Sequence, residues 1–318
     1  MSGKNNYKPR FIRGLWALTV RELKKWVKEP IILMMAVLQP VIWMTLFGKS
    51  MDLGKMFSPT NLGNLTIKDV QIPGALLNPP VNGIITIPGE LIAQQLQQFF
   101  ADLGSLAMQN TFGVADYFSY MAVGMISMIV IFSTMFSGMS IVWDRRLGFL
   151  SKVLSTPVSR AAIIMSKMLN AALRGMFQAT IILALAAVFG LKFSASFTPL
   201  NLLGIYLAVF LMSMGLSAIF VALALRSTRQ ETQMAIVNLI NMPLMFASNT
   251  FYPISLMPEW IQAVAKVNPI TYLTDAIRQL TVLSMDVSAL LLDLVYLSVF
   301  AAVCSIIGVV LSWRYITK

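Results

Sequence analysis

Six long apolar runs, at about 30–48, 117–142, 169–190, 201–225, 235–252 and 288–312, dictate most of what this chain can fold into. Each holds about 18 to 26 residues, enough at about 1.5 Å per residue to cross a hydrocarbon layer about 30 Å thick. In such a layer each backbone N–H and C=O must be satisfied within the protein, which makes the helix the stable spanning form. The predicted fold class is therefore an all-α membrane protein with six transmembrane helices. Composition agrees, since 57% of the residues are hydrophobic and 12% charged, where a soluble domain carries about 25% charged residues.

Basic residues predict the orientation. Eighteen of the 24 Lys and Arg residues fall in segments that six crossings place on one side. They run from Lys4 to Lys28, from Arg145 to Arg174, and end with Arg226, Arg229, Arg314 and Lys318. The other side receives Lys49, Lys55, Lys68, Lys192, Lys266 and Arg278. The positive-inside rule then puts both termini in the cytoplasm and the long loop 49–116 outside. The same placement explains the net charge of +11 as attraction to anionic headgroups, with no nucleic-acid partner implied. Residues 1–29 offer no short apolar core leading to a small-residue cleavage site, so the N-terminus is expected to be retained.

Four shorter segments have patterns of their own. Residues 10–28 place Ile12, Leu15, Thr19, Leu23 and Trp26 at helical spacing with Arg21, Lys24 and Lys28 opposite, which predicts an interfacial amphipathic helix ended by Glu29-Pro30. In the outer loop, rich in proline, only 89–104 is regular enough to predict a helix. Within 143–167, Leu147, Leu150 and Leu154 recur at helical spacing before Ser155-Thr156-Pro157 interrupts, and a second helix is expected to begin near Val158. Residues 251–280 are apolar but are cut by Pro253, Pro258 and Pro269 and carry Glu259, Lys266, Asp275 and Arg278. One crossing there would strand charges in hydrocarbon, so a pair of short helices re-entering the outer leaflet is expected, with Trp260 and Tyr272 at interfacial depth.

Several chemistries are disfavoured. The chain has no histidine and a single cysteine, Cys304, which argues against Ser-His catalysis, a zinc site and an internal disulfide. Gly48-Lys49-Ser50 mimics the end of a phosphate-binding loop, but Trp43 stands where the first glycine belongs. The sequon Asn64-Leu65-Thr66 is a short pattern. No cofactor is expected on this chain, and any ATP and Mg²⁺ would be bound by another polypeptide. Polar residues within the runs are candidates for a transport pathway or for helix–helix contact: Asn238 and Asn241 on the fifth run, and Asp293 on the sixth. Arg174, near one end of the third run, is expected to snorkel to the surface. Midplane charge is scarce, which argues against a proton- or ion-coupled carrier, and a secondary carrier or channel stays as the alternative.

Two stretches carry a resemblance. LSTPVSR (Leu154 to Arg160) and FYPISLMPEWIQAVAKVNPITY (Phe251 to Tyr272) resemble the two signatures of ABC type-2 exporter permeases of the daunorubicin-resistance kind. The spacing of Pro253, Pro258, Trp260, Asn268, Pro269 and Tyr272 is the specific part. The resemblance implies a multidrug-type permease of a prokaryotic cytoplasmic membrane that pairs with a second copy of itself and docks cytoplasmic ABC ATPase subunits. It further implies an elbow helix at 10–28 and an outer re-entrant hairpin at 254–284. The ATPase-coupling helix would lie within Asp144 to Leu154, presenting Asp144, Arg145, Arg146, Leu147, Leu150 and Leu154. Many relatives begin that segment with more acidic residues than Asp144-Arg145-Arg146.

Overall fold

The computed structural model of the chain describes residues 11–49, 67–73, 84–114, 116–227 and 229–316. Ser50, Lys55 and the sequon at 64–66 lie outside them, as do the first ten residues and Lys318. Helix α1 (Phe11–Val27) matches the expected amphipathic segment. Pro30 then takes the first helical position of α2 (Pro30–Trp43), where its missing N–H has no intrahelical role. Pro40 lies inside α2, and the helix widens afterwards into a π turn, Met44–Lys49.

The described part of the loop that follows includes a pair of strands. Strand β1 (Val70–Pro73) pairs antiparallel with β2 (Ile84–Ile87), Val70 opposite Ile87. Asp69 accepts the Gly89 N–H at 2.8 Å and ties this hairpin to α3 (Gly89–Phe112). Helix α3 continues eight residues past the expected end at 104, because Gly104 is tolerated within it and Met108 beyond is buried.

Helix α4 (Tyr117–Arg146) is capped by Asp116, which accepts the Ser119 N–H at 2.8 Å. A turn at Gly148, whose φ of +68° suits a residue without a Cβ, leads to α5 (Phe149–Leu154). Ser159 caps α6 (Arg160–Val188), so the second helix expected to begin near Val158 and the run at 169–190 are one continuous element. Helices α7 (Asn201–Arg226) and α8 (Gln230–Phe246) follow. After a 3₁₀ turn at Ile254–Leu256 come α9 (Glu259–Val267) and α10 (Pro269–Thr281), the two short helices expected there. The last element is α11 (Val287–Ile316), whose first turn is capped by Asp286, an acceptor for the Ser288 N–H at 2.9 Å.

Helices α4, α6 and α7 pack mutually, with α11 along α7, α10 against α7 and α11, and α1 against α6. Their core is Met- and Ile-rich, including Met121, Met125, Ile126, Ile182, Met212, Phe220 and Ile277. Against lipid tails such contacts gain little hydrophobic energy, so close fit and interhelical hydrogen bonds hold the bundle. Buried hydroxyls are satisfied either on their own helix, as Thr134 to the Ile131 carbonyl at 2.8 Å, or across helices, as Thr274 to Ser127 at 2.8 Å.

Among the described residues, four helical stretches are long and apolar enough to cross a membrane: one within Gly89–Arg146, which contains α3 and α4, and Arg160–Val188, Asn201–Arg226 and Val287–Leu311. The run expected at 30–48 is helical in two parts, and the run expected at 235–252 is helical only as far as Phe246. The first divides into α2 and its π turn, and α8 has 17 residues with Pro243 inside.

Candidate functional site

At the end of the bundle that carries α5, here the basic end, an ion network joins three elements. Lys167 of α6 donates from Nζ to Glu22 Oε1 of α1 at 2.8 Å, to Ser140 Oγ at 2.7 Å, and to the Asp144 carboxylate of α4. Arg21 reaches Glu22 at 2.8 Å and Asp144 at 3.7 Å. Glu22, Asp144 and Lys167 are only 7%, 4% and 5% exposed. Burial by itself would raise the Glu22 carboxyl, but Lys167, then Arg21 and Ser140, outweigh it and hold the group below its ordinary value of 4.5. The expected amphipathic face of α1 is shifted as a result. Ile12 is 77% exposed, whereas Thr19, Glu22 and Trp26 form the buried stripe. Glu22 is the only acid in residues 1–28, and Asp144 the only one in 117–167. Their isolation in basic surroundings was the legible signal.

The six residues expected to form one coupling surface are divided. Asp144 is turned into the network. Arg145 donates to the Leu225 carbonyl at 2.9 Å and closes the C-terminus of α7. Leu150 is buried with Val153 and Ile163 against Leu18 and Val158. Arg146, Leu147 and Leu154 are exposed. A six-residue helix has two faces, and the inner one is needed to hold it: the Arg21 guanidinium stacks 3.3 Å from the Phe149 ring centroid, so α1 grips α5 directly.

Above the network lies a cavity of about 320 Å³ between α1, α2, α4 and α6. Trp26, Met35, Phe132 and Met135 give it apolar walls, while Ser133, Arg174 and Gln178 stand at its polar side. Arg174 turns into the bundle instead of snorkelling outward, with Nη2 donating to the Ser133 carbonyl at 3.4 Å. With Asn170 and Gln178 it makes a lane at four-residue spacing on α6, which puts all three on one face.

At the far end the hairpin is tied down by its polar residues. Arg278 of α10, 2% exposed, donates to the carbonyls of Asn249 at 2.7 Å, Thr250 at 3.0 Å and Tyr120 at 3.3 Å, and stacks 3.4 Å from the Tyr120 ring centroid. Asp275 accepts from the Asn249 side chain. Asn268 caps α10 through the Ile270 N–H at 3.0 Å and donates to the Leu244 and Ala247 carbonyls that end α8. Pro269 is buried beside it. Tyr272 stacks on Tyr296 of α11 with centroids 3.8 Å apart. Pro253 and Pro258 precede the 3₁₀ turn and α9, and Trp260 is 72% exposed.

The three pathway candidates are scattered. Asp293 is buried and accepts from Gln279 at 2.9 Å, joining α11 to the hairpin. Asn241 is buried and neither of its side-chain polar atoms has a partner among the described residues, while Asn238 is exposed on α8.

These elements define a multi-pass helical membrane protein with a braced helix at one end and a proline-bounded hairpin at the other. Residues 13–282 match the family model described as ABC-2 type transporter, and the chain belongs to that family. It is 25% identical over 270 residues to a protein of Cyanophora paradoxa named as a transport permease, ycf38, covering 84% of this chain and 74% of the relative. It is 29% identical over 172 residues to an Escherichia coli protein named as a multidrug ABC transporter permease, YbhR, covering 52% of this chain and 44% of the relative. It is also 25% identical over 165 residues to the daunorubicin resistance ABC transporter permease protein DrrB1 of Streptomyces coeruleorubidus, covering 52% and 58%. The chain is thus a membrane permease of the ABC-2 class.

Proposed function

We propose that this permease exports an amphipathic drug-like, lipid or glycan-type substrate across the cytoplasmic membrane by alternating access, driven by separate ATPase subunits that hold the ATP and Mg²⁺. In this reading all six apolar runs cross the membrane. Residues 30–49 give about 30 Å at 1.5 Å per residue, and α8 with the segment after Pro243 completes the fifth crossing. Both termini lie in the cytoplasm, by the excess of basic residues at the α5 end.

One observation carries the coupling. The turn into α5 exposes Leu147 and α5 itself exposes Leu154, while Leu150, Val153 and Phe149 fasten its inner side to α1 and α6. A push on α5 by an ATPase would move α1, α4 and α6 as a unit through the Glu22–Lys167–Asp144 network and so reshape the cavity they line. A second copy of the permease completes the pathway: α8 exposes Met234, Leu239 and Met242 around Asn238, an amide that a lipid face disfavours and a partner helix would accept.

The test is co-purification of the permease with its ATPase and stimulation of ATP hydrolysis in proteoliposomes. Leu147→Asp and Leu154→Asp are expected to abolish both while the permease still elutes as a folded species. Unimpaired binding and stimulation in both variants would refute α5 as the coupling element.

A further inference from the structure

We propose that the cavity between α1, α2, α4 and α6 binds an acyl-chain amphiphile with an acidic head, the head held at Arg174 and the chain laid against Met35, Phe132 and Met135. Arg174 is the only charged residue among the described residues that line this cavity. Its nearest ionic neighbourhood is already balanced. At the basic end Glu22 and Asp144 are held by Lys167 and Arg21, and among the described residues neither makes an ion pair with Arg174, on which Glu22 acts only through space. The guanidinium makes one long bond to a backbone carbonyl, and its Nε has no partner among the described residues. One helical turn to either side, the Asn170 Nδ2 and Gln178 Oε1 atoms are likewise unpartnered, in side chains only 4% and 5% exposed.

Buried donors without acceptors are costly, and a cation inside an apolar bundle more so. An acidic head in this cavity would satisfy Arg174 by charge-assisted hydrogen bonds. Apart from Gln39, Ser133 and Gln178 the remaining walls are thioether, aromatic and aliphatic, and a volume of about 320 Å³ falls in the usual range of about 300–1,000 Å³ for small-ligand sites. A cationic amphiphile would meet Arg174 with like charge, and a neutral one would leave it unpaired. This inference deepens the export reading and rests on it for the consequence that such an amphiphile is cargo.

Binding is measured on the permease alone, in phosphatidylcholine nanodiscs, with Trp26 as the only tryptophan. Small mole fractions of phosphatidylglycerol or phosphatidylcholine, both with brominated chains, are compared as quenchers. The expected result is about tenfold stronger apparent quenching of Trp26 by the glycerol lipid, the worth of one charge-assisted hydrogen bond. Glycerol phosphate without chains should not compete. Arg174→Gln is expected to remove the preference and Arg174→Lys to keep most of it. Ser133→Asp, which sets a carboxylate of the protein beside Arg174, should also remove it and covers the case in which Arg174→Gln does not fold. Equal quenching by the two lipids in the parent protein, or a preference that survives both Arg174→Gln and Ser133→Asp, would overturn the proposal. If the preference is absent while ATPase docking holds, only this inference falls. If it is present while docking fails, the site stands and the export reading falls.

Discussion

Replacing Lys167 by Met should undock α1 from the bundle. At 2.8 Å from Glu22, Lys167 gains about 6 kcal/mol of Coulomb energy at an effective dielectric of about 20. Desolvation of both groups offsets part of that gain, and removing one member of a buried pair costs about 3–5 kcal/mol because the other is left uncompensated. Here two carboxylates, Glu22 and Asp144, would be left facing each other, with only the half-exposed Arg21 between them. At about 1.4 kcal/mol per factor of ten, amide exchange across residues 11–27 should accelerate by roughly a hundredfold to a thousandfold or more in nanodiscs at neutral pH. The core of α4 and α7 should exchange as before. The triple variant Glu22→Gln, Asp144→Asn, Lys167→Met removes the charges together and should restore most of the protection, since a neutral core of similar volume is tolerated. Unchanged exchange in Lys167→Met, or a triple variant as labile as the single one, would refute the network as the clamp on α1.

Acid should act on the same clamp. The Glu22 carboxyl is lowered in the folded protein, so its contribution is present above its ordinary value of 4.5 and lost as pH falls below that value; exchange in 11–27 should rise there in the parent and stay flat in Glu22→Gln. Leu150→Ala should cost about 2–5 kcal/mol of local stability around α5 by leaving a cavity, whereas Leu147→Ala should stay within about 0.5 kcal/mol, as read by proteolysis of the 143–160 segment. Arg278→Ala strands the Asn249, Thr250 and Tyr120 carbonyls and should destabilise the hairpin by roughly 3 kcal/mol or more, seen as faster exchange in 249–281. Gly124→Ala places a Cβ 2.3 Å from the Thr250 carbonyl oxygen and should lower the melting temperature through an overpacking cost of about 1–3 kcal/mol; an unchanged melt would show that α4 and the start of the hairpin are free to separate.

The long crossings were legible because lipid enforces a local rule: about twenty apolar residues in a row, with internal hydrogen bonds. The prolines at 253, 258 and 269 likewise forced the breaks before the 3₁₀ turn, before α9 and between α9 and α10, since each removes a donor and disfavours helix at the residue before it. The Asn170, Arg174 and Gln178 spacing on α6 was equally local and could have been read as one face. The partners of these residues could not. Glu22 and Lys167 are separated by 145 positions, and a lone acid in a basic helix looks like a surface residue until the opposite helix is known. Leu147, Leu150 and Leu154 shared one periodicity, yet packing against Leu18 buried only the middle one. Arg278 appeared as a charge to be kept near water, and the fold instead surrounded it with the Asn249 and Thr250 carbonyls just past the end of α8 and the Tyr120 carbonyl of α4. The sequence alone determined where this chain is apolar enough to enter a membrane and where it must bend, because those are properties of single segments. Only tertiary structure decided which of its few charges are spent on each other and which one, Arg174, is left facing a cavity, because pairing depends on distances between helices that no segment contains.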